Sequence, residues 1–278
     1  MLAVIPAATL TVGVTREVGD EAFFWQDCVD YRGLFRHGEG LRPVAGRCRS
    51  APGAHCPPGG PSCIPAGYAI GGIFGGCAGV ACDLMDPVSR QAMLDALDGR
   101  GVKVDILINN AGLGLQEPFV AMPWGDLQGM MDVDMTALTH LTHHFSTRMQ
   151  ARGEGYVLLV ASVAGHMAIP GYAGYSACKH YVRALGYALN GELRPAGVRV
   201  TVVSPGATET EFFDVAGHQR NLLAKLLTGK SEAVAWSALK GLHRGRREVV
   251  PGLINWLATL SARLLPYTLM RRIMEILF

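Results

Sequence analysis

From residue 83 onward, short apolar runs alternate with longer runs in which apolar positions recur at helical spacing, and turn formers punctuate each change. Asp86 and Pro87 form a helix start, and Val88 to Leu97 continues with helical period. Val104 to Ile108 reads as a short buried strand, with Asn109-Asn110-Ala111-Gly112 as a turn at its carboxyl end. Leu127 to Met149 reads as one long helix, Tyr156 to Ala161 as a strand, and Ser176 to Leu193 as a helix closed near Pro195 and Gly197. Val198 to Val203 is a further strand, stopped by Pro205-Gly206. Strands separated by helices call for right-handed crossovers. The pattern therefore predicts an α/β fold, a doubly wound parallel sheet with a ligand crevice at the strand carboxyl ends.

The two ends of the chain follow other patterns. Met1 to Val14 is apolar without a basic leader, which predicts a first buried strand rather than a signal peptide. Residues 64–82 carry no charge and space Gly67, Gly71, Gly75 and Gly79 like the small face of a membrane helix. Six glycines and a proline in that run make it a poor helix in water and a marginal span. Residues 1–82 contain no Lys, crowd Pro-Pro, Gly-Gly and Cys into 43–79, and lack a helical period. Such a mixture neither packs like a βαβ unit nor solvates like a disordered tail. The expected organisation is an irregular or malformed segment over 1–82, a core over 83–248 and an apolar helical extension over 249–278. In the extension, Leu253, Trp256, Leu257, Leu260, Leu264 and Leu265 approximate a helical stripe. That stripe is expected to close over a cleft or to pack on a neighbouring subunit. Arg263, Arg271 and Arg272 beside Trp256 and Leu277-Phe278 also suit peripheral contact with a membrane.

Composition narrows the class. With 278 residues, 49% hydrophobic and 17% charged, the chain can bury one large core. A net charge of +2 gives no reason to expect nucleic acid, and no zinc-type Cys/His spacing occurs. Cys28, Cys48, Cys56, Cys63, Cys77 and Cys82 precede residue 83 and only Cys178 follows. An odd number of Cys, without a signal peptide, reads as reduced thiols in a cytoplasmic protein.

The chemistry centres on Tyr175-Ser176-Ala177-Cys178-Lys179. On a helix, Tyr175 and Lys179 lie at i and i+4, about 5–6 Å apart at Cβ. A phenol titrates near pH ~10, and an adjacent cation favours its phenolate, which makes Tyr175 a candidate general acid or base. Tyr and Lys are common, and most such pairs are a buried ring beside a solvated charge. The surroundings carry the argument. They comprise, in order, Cys82-Asp83-Leu84, Asn109-Asn110-Ala111-Gly112, Ser162 within Ala161-Ser162-Val163-Ala164-Gly165, the Tyr-x-x-x-Lys pair, and Pro205-Gly206 followed by Thr208 and Thr210.

This ordered set, with its Ser162-to-Tyr175 interval, resembles the short-chain dehydrogenase/reductase family over residues 83 to about 215. The stretch Arg246-Arg247-Glu248-Val249-Val250-Pro251-Gly252 resembles a bacterial subgroup with broad substrates. The resemblance implies a Rossmann-type fold and a homo-oligomer. It also implies an NAD(P)(H)-dependent oxidoreductase that interconverts an alcohol and a carbonyl on a small or lipid-like molecule. NADP is the expected cofactor, with NAD the other choice. Tyr175 would exchange the proton, Lys179 would lower its pKa and bind the nicotinamide ribose, and Ser162 would hold the substrate oxygen. Asp83 and Leu84 would border the adenine, and Asn109, Ala111 and Gly112 would line the adenosine side. Pro205, Gly206 and Thr208 would contact the nicotinamide half.

Other candidates read as structural. Tyr172 lacks a Lys four residues on and reads as wall packing; Cys178 reads as a small packed residue. His140, His143 and His144 have no second cluster to complete a metal site, so no metal is expected. Asp132 and Asp134 do not face each other on a helix. Two departures stand out. Asp134 occupies the position at which the family carries a fourth catalytic residue, an Asn, and it adds a charge near the proton relay. No Thr-Gly-x-x-x-Gly-x-Gly turn for the pyrophosphate is found: Val14-Thr15 runs into Arg16, and Gly67 to Gly76 comes too late. A segment translated partly out of frame would look this way. The alternative reading is therefore a catalytically impaired relative or interaction subunit without a working phosphate loop.

Overall fold

The computed structural model describes residues 9–12, 68–73, 77–206, 231–266, 268–270 and 272. The missing glycine turn and Thr208 fall outside the described residues, as does most of 1–82. Seven strands form one sheet: β1 (Thr9–Val12), β2 (Tyr68–Ile73), β3 (Cys77–Cys82), β4 (Ile106–Asn109), β5 (Gly155–Val160), β6 (Val198–Val203) and β7 (Glu248–Val249). Their order is β3-β2-β1-β4-β5-β6-β7. From β1 through β4, β5, β6 and β7 every neighbouring pair is parallel, with registers such as Leu10 to Leu107, Val157 to Val200 and Val203 to Val249. The expected parallel α/β sheet is present.

The amino-terminal strands qualify that picture. Thr9–Val12, inside the run expected to be a first strand, lies at the middle of the sheet beside β4. The glycine-spaced run expected to be a poor helix instead forms β2 and β3, which pair antiparallel with each other, and β2 is antiparallel to β1. β3 begins so soon after β2 that no crossover helix fits between them, so the antiparallel pairing of these two strands follows from the length of chain available. No helix among the described residues is long and apolar enough to cross a membrane.

The helices are α1 (Pro87–Gly99), α2 (Trp124–Met131), α3 (Leu138–Arg152), α4 (Ala173–Leu193), α5 (Ser231–His243) and α6 (Leu253–Leu264). Asp86 caps α1 by accepting from Val88 N–H at 3.0 Å and Ser89 N–H at 3.1 Å, with Pro87 in the first turn. The core has two layers, one on each face of the sheet. Leu107, Val157, Leu159, Val200 and Val202 share a cluster with Leu94 of α1, Leu141 of α3 and Val182 of α4. Their neighbours Ile106, Ile108, Leu158 and Val203 meet Ala238, Leu239 and Leu242 of α5 instead.

The stretch expected as one long helix is α2 and α3 joined by a π-helical turn, Asp132–Ala137. The wider turn rotates the helix surface and carries Asp134 fully inside, at 0% exposure. Helix α6 lies within the expected carboxyl-terminal extension. Ala258 and Ala262 of α6 pack toward Ala164, Met167 and Ile169, whereas Leu253, Trp256, Leu257 and Leu264 are exposed.

Candidate active site

Four elements converge at the carboxyl ends of β4, β5 and β6. Tyr175 and Lys179 stand one turn apart on α4, with Lys179 Nζ 5.6 Å from the centroid of the Tyr175 ring. Ser162 leaves β5 in extended backbone and caps a 3-10 turn, Val163–His166, through Ala164 N–H to its Oγ at 3.2 Å. The Ser162 hydroxyl also hydrogen-bonds the Tyr175 phenol. The turn sits directly on α4, since a Cβ on Gly165 would lie 2.7 Å from the Lys179 carbonyl oxygen. Val163 N–H reaches the Pro205 carbonyl at 2.9 Å, which fixes Pro205-Gly206 against the same turn.

Lys179 is buried, and its ammonium lies 3.4 Å from Asp134 Oδ2 and 3.4 Å from the Val160 carbonyl. Asp134 Oδ1 accepts from Leu113 N–H at 2.9 Å, so one carboxylate ties the β4 loop to the lysine. A Cβ on Gly112 would come within 2.9 Å of both Asp134 Oδ1 and Lys179 Nζ. A methyl group there would displace one of these two side-chain ends. Burial pushes the Asp134 carboxyl up, and the Lys179 charge and the Leu113 amide partly offset it. Burial works against the Lys179 ammonium, but Asp134 and Tyr175 raise it overall. Burial likewise pushes the Tyr175 phenol above its ordinary range; Lys179 and Ser162 pull down on it, and Asp134 pushes up.

A sequence profile described as short chain dehydrogenase matches residues 74–221, more than half of the chain. Serine 3-dehydrogenase of Rhizobium radiobacter is 32% identical over 182 residues, 65% of this chain and 68% of that protein. Sulfoacetaldehyde reductase 2 of Chromohalobacter salexigens is likewise 32% identical over 182 residues, 65% of this chain and 68% of the relative. A short-chain dehydrogenase from Sphingobium yanoikuyae, solved in complex with NADPH, superposes with a TM-score of 0.57 at 30% identity, over 66% of this chain and 71% of that one. The chain belongs to the short-chain dehydrogenase family. Its activity class is accordingly that of an oxidoreductase acting on CH–OH groups.

Within that family frame, the remaining expected residues are placed as follows. Asp83 sits at the end of β3, where one carboxylate oxygen accepts Met85 N–H at 2.9 Å and so sets the side chain's direction. Leu84 is 1% exposed and its carbonyl is taken by Arg90, so its side chain serves the core. Asn109 ends β4 and donates to Thr142 Oγ1 at 2.8 Å, pinning the strand to α3. Ala111 is buried just beyond it. Tyr172 lies beside Tyr175 with ring centroids 6.2 Å apart and the rings tilted by 58°, and burial pushes its phenol up to about 12. Cys178 is packed against Leu127 and Met130, and burial pushes its thiol up to about 11. His144 faces Asp98 at 3.5 Å, and no group of three metal-ligating side chains occurs among the described residues.

Sequence reasoning missed four residues. Gly165 sets the spacing between turn and helix, and Asn255 of α6 lies against Gly206, where a Cβ would come 2.2 Å from its Oδ1. His166 Nε2 lies 2.9 Å from Glu248 Oε1 beneath the turn. The only sequence signal for the last was the resemblance around Arg246 to Gly252.

Proposed function

We propose that this chain interconverts an alcohol and a carbonyl on a small or lipid-like molecule, using NADP(H), with NAD(H) as the other dinucleotide. The observation that carries this reading is the convergence of Ser162, Tyr175 and Lys179 on one point beside Pro205-Gly206. The residues present fit a nicotinamide dinucleotide along the half of the crevice they build. Asn109 Oδ1 is buried without a hydrogen-bond partner among the described residues, a polar atom that a bound dinucleotide could engage. Asp83, Leu84, Asn109, Ala111 and Gly112 are assigned to the adenosine side. Lys179, Pro205, Gly206 and Thr208 are assigned to the nicotinamide half, where Tyr175 borders them. The NADPH named for the Sphingobium relative supports the choice of dinucleotide.

When bound, the nicotinamide supplies or accepts the hydride. The chain's own residues handle the proton. In carbonyl reduction Tyr175 donates its hydroxyl proton to the substrate oxygen, and the neighbouring ammonium of Lys179 offsets the negative charge left on the phenolate. Ser162 holds the same oxygen as charge builds on it. Because burial keeps Tyr175 in its phenol form at neutral pH, reduction starts from the protonation state it needs. Oxidation requires the phenolate and is favoured by alkaline pH. Asp134 holds Lys179 and the Leu113 loop in place, and its charge opposes phenolate formation.

The intact proton-transfer set favours an active enzyme over an impaired relative or interaction subunit. The exposed Leu253, Trp256, Leu257 and Leu264 of α6 support a homo-oligomer. Arg263, beside that face, supports peripheral membrane contact as the other use of it. Two free buried thiols, Cys82 and Cys178, suit a cytoplasmic setting. Aldehydes and ketones of graded size, offered with NADPH, test the central reading: wild-type protein oxidises NADPH with at least one class, and failure with all of them sinks it.

A further inference from the structure

Glu248 stands on β7 outside the reacting group, yet its carboxylate gathers side chains from α4, α6, the end of β6 and the turn after Ser162. Oε1 accepts from Ser204 Oγ at 2.8 Å and Arg183 Nε at 3.1 Å, and His166 Nε2 lies 2.9 Å from it. Oε2 accepts from the Tyr187 hydroxyl and lies 3.5 Å from Arg263 Nη2. These five partners have a common geometry. His166 ends the turn that Ser162 caps, and Ser204 precedes Pro205-Gly206. Arg183 and Tyr187 continue the four-residue spacing of Tyr175 and Lys179 along α4, and Arg263 lies on α6.

The turn after Ser162 is thus fastened at three points. Val163 is bound to Pro205, Gly165 rests on Lys179, and His166 is linked through Glu248 to Arg183 on the helix that carries Tyr175. The last link is the only one of the three that runs through charged side chains, Glu248 and Arg183. His166 has a side-chain exposure of 1% and Glu248 of 10%, so water competes little for it. The donors around it hold the Glu248 carboxyl down at about 2 despite its burial.

We propose that Glu248 is a positioning residue that sets where Ser162 stands relative to Tyr175, by tying the Ser162 turn to the Tyr175 helix through His166 and Arg183. The proposal rests on the reading that Ser162 and Tyr175 act on one substrate oxygen. The test uses the full chain in four forms, wild type, Glu248→Gln, Ser162→Ala and the double variant, with His166→Gln as a milder cut that leaves Glu248 its other donors. In carbonyl reduction with NADPH, Glu248→Gln and His166→Gln are expected to lower kcat about tenfold, as misplacing a reacting group does, with KM for NADPH within about twofold. In the Ser162→Ala background the same change at Glu248 is expected to cost less than about twofold, because partners in one network are not additive. Equal losses in both backgrounds overturn the proposal.

Amide hydrogen exchange supplies a readout independent of turnover. Peptides covering residues 162–167 are expected to exchange about tenfold faster in His166→Gln, with those of α1 unchanged. Unchanged exchange at 162–167 also overturns the proposal. An inactive wild type with faster exchange in the variant would instead count against the enzymatic reading and leave the positioning role standing.

Discussion

At the scale of single residues, the site is governed by how one buried negative charge is shared. Asp134 neutralises Lys179, which weakens the help the ammonium gives Tyr175, and it pushes the Tyr175 phenol up directly. Replacing it with Asn removes that push while preserving size. The Tyr175 pKa then falls, so the alkaline rise in alcohol oxidation moves to lower pH and the rate at neutral pH increases several-fold. A pH–rate profile of Asp134→Asn checks this; a limb that stays in place or moves to higher pH contradicts it. Ser162, Tyr175, Lys179 and Asp134 were legible in the sequence because the chemistry demands particular side chains at fixed intervals. Glu248, His166 and Gly165 were not. Their roles arise from contacts between segments distant in sequence, and a lone Glu, His or Gly carries no mark of such a contact.

Among the elements, one difference from the sequence reading has a clear physical cause. The apolar period of 127–149 is continuous, and the π-turn at Asp132–Ala137 changes it by too little to be noticed, although it decides that Asp134 faces inward. In α6 Leu253, Trp256, Leu257 and Leu264 face outward, while Ala258 and Ala262 lie close against the Ser162 turn. The same closeness governs Gly165. Adding a methyl group there meets backbone rather than a flexible side chain, so Gly165→Ala is expected to cost about 1–3 kcal/mol in denaturant unfolding. It should also lower kcat by more than about tenfold, because the displaced group is the Ser162 turn. Wild-type stability and turnover in this variant would show that the turn is not seated on α4.

For the whole molecule, the parallel sheet from β4 to β6 was legible because each strand is followed by a turn former and a helix. The β2–β3 hairpin was not, since glycine spacing suits a helix face and a pair of strands equally well. The exposed face of α6 belongs to this scale too. If it joins copies of the chain, Trp256→Glu with Leu257→Glu converts an oligomer to a monomer in light scattering. An unchanged mass, with binding to anionic vesicles lost instead, would assign the face to a membrane. All of this serves one claim, that Tyr175 passes the proton while hydride moves between a nicotinamide and a carbonyl carbon. Its most direct test is NADPH consumption with a ketone substrate by wild type and Tyr175→Phe. The account predicts turnover by the wild type and a loss of at least about a hundredfold in kcat, with NADPH binding retained, in the variant. Equal rates in the two proteins would contradict it.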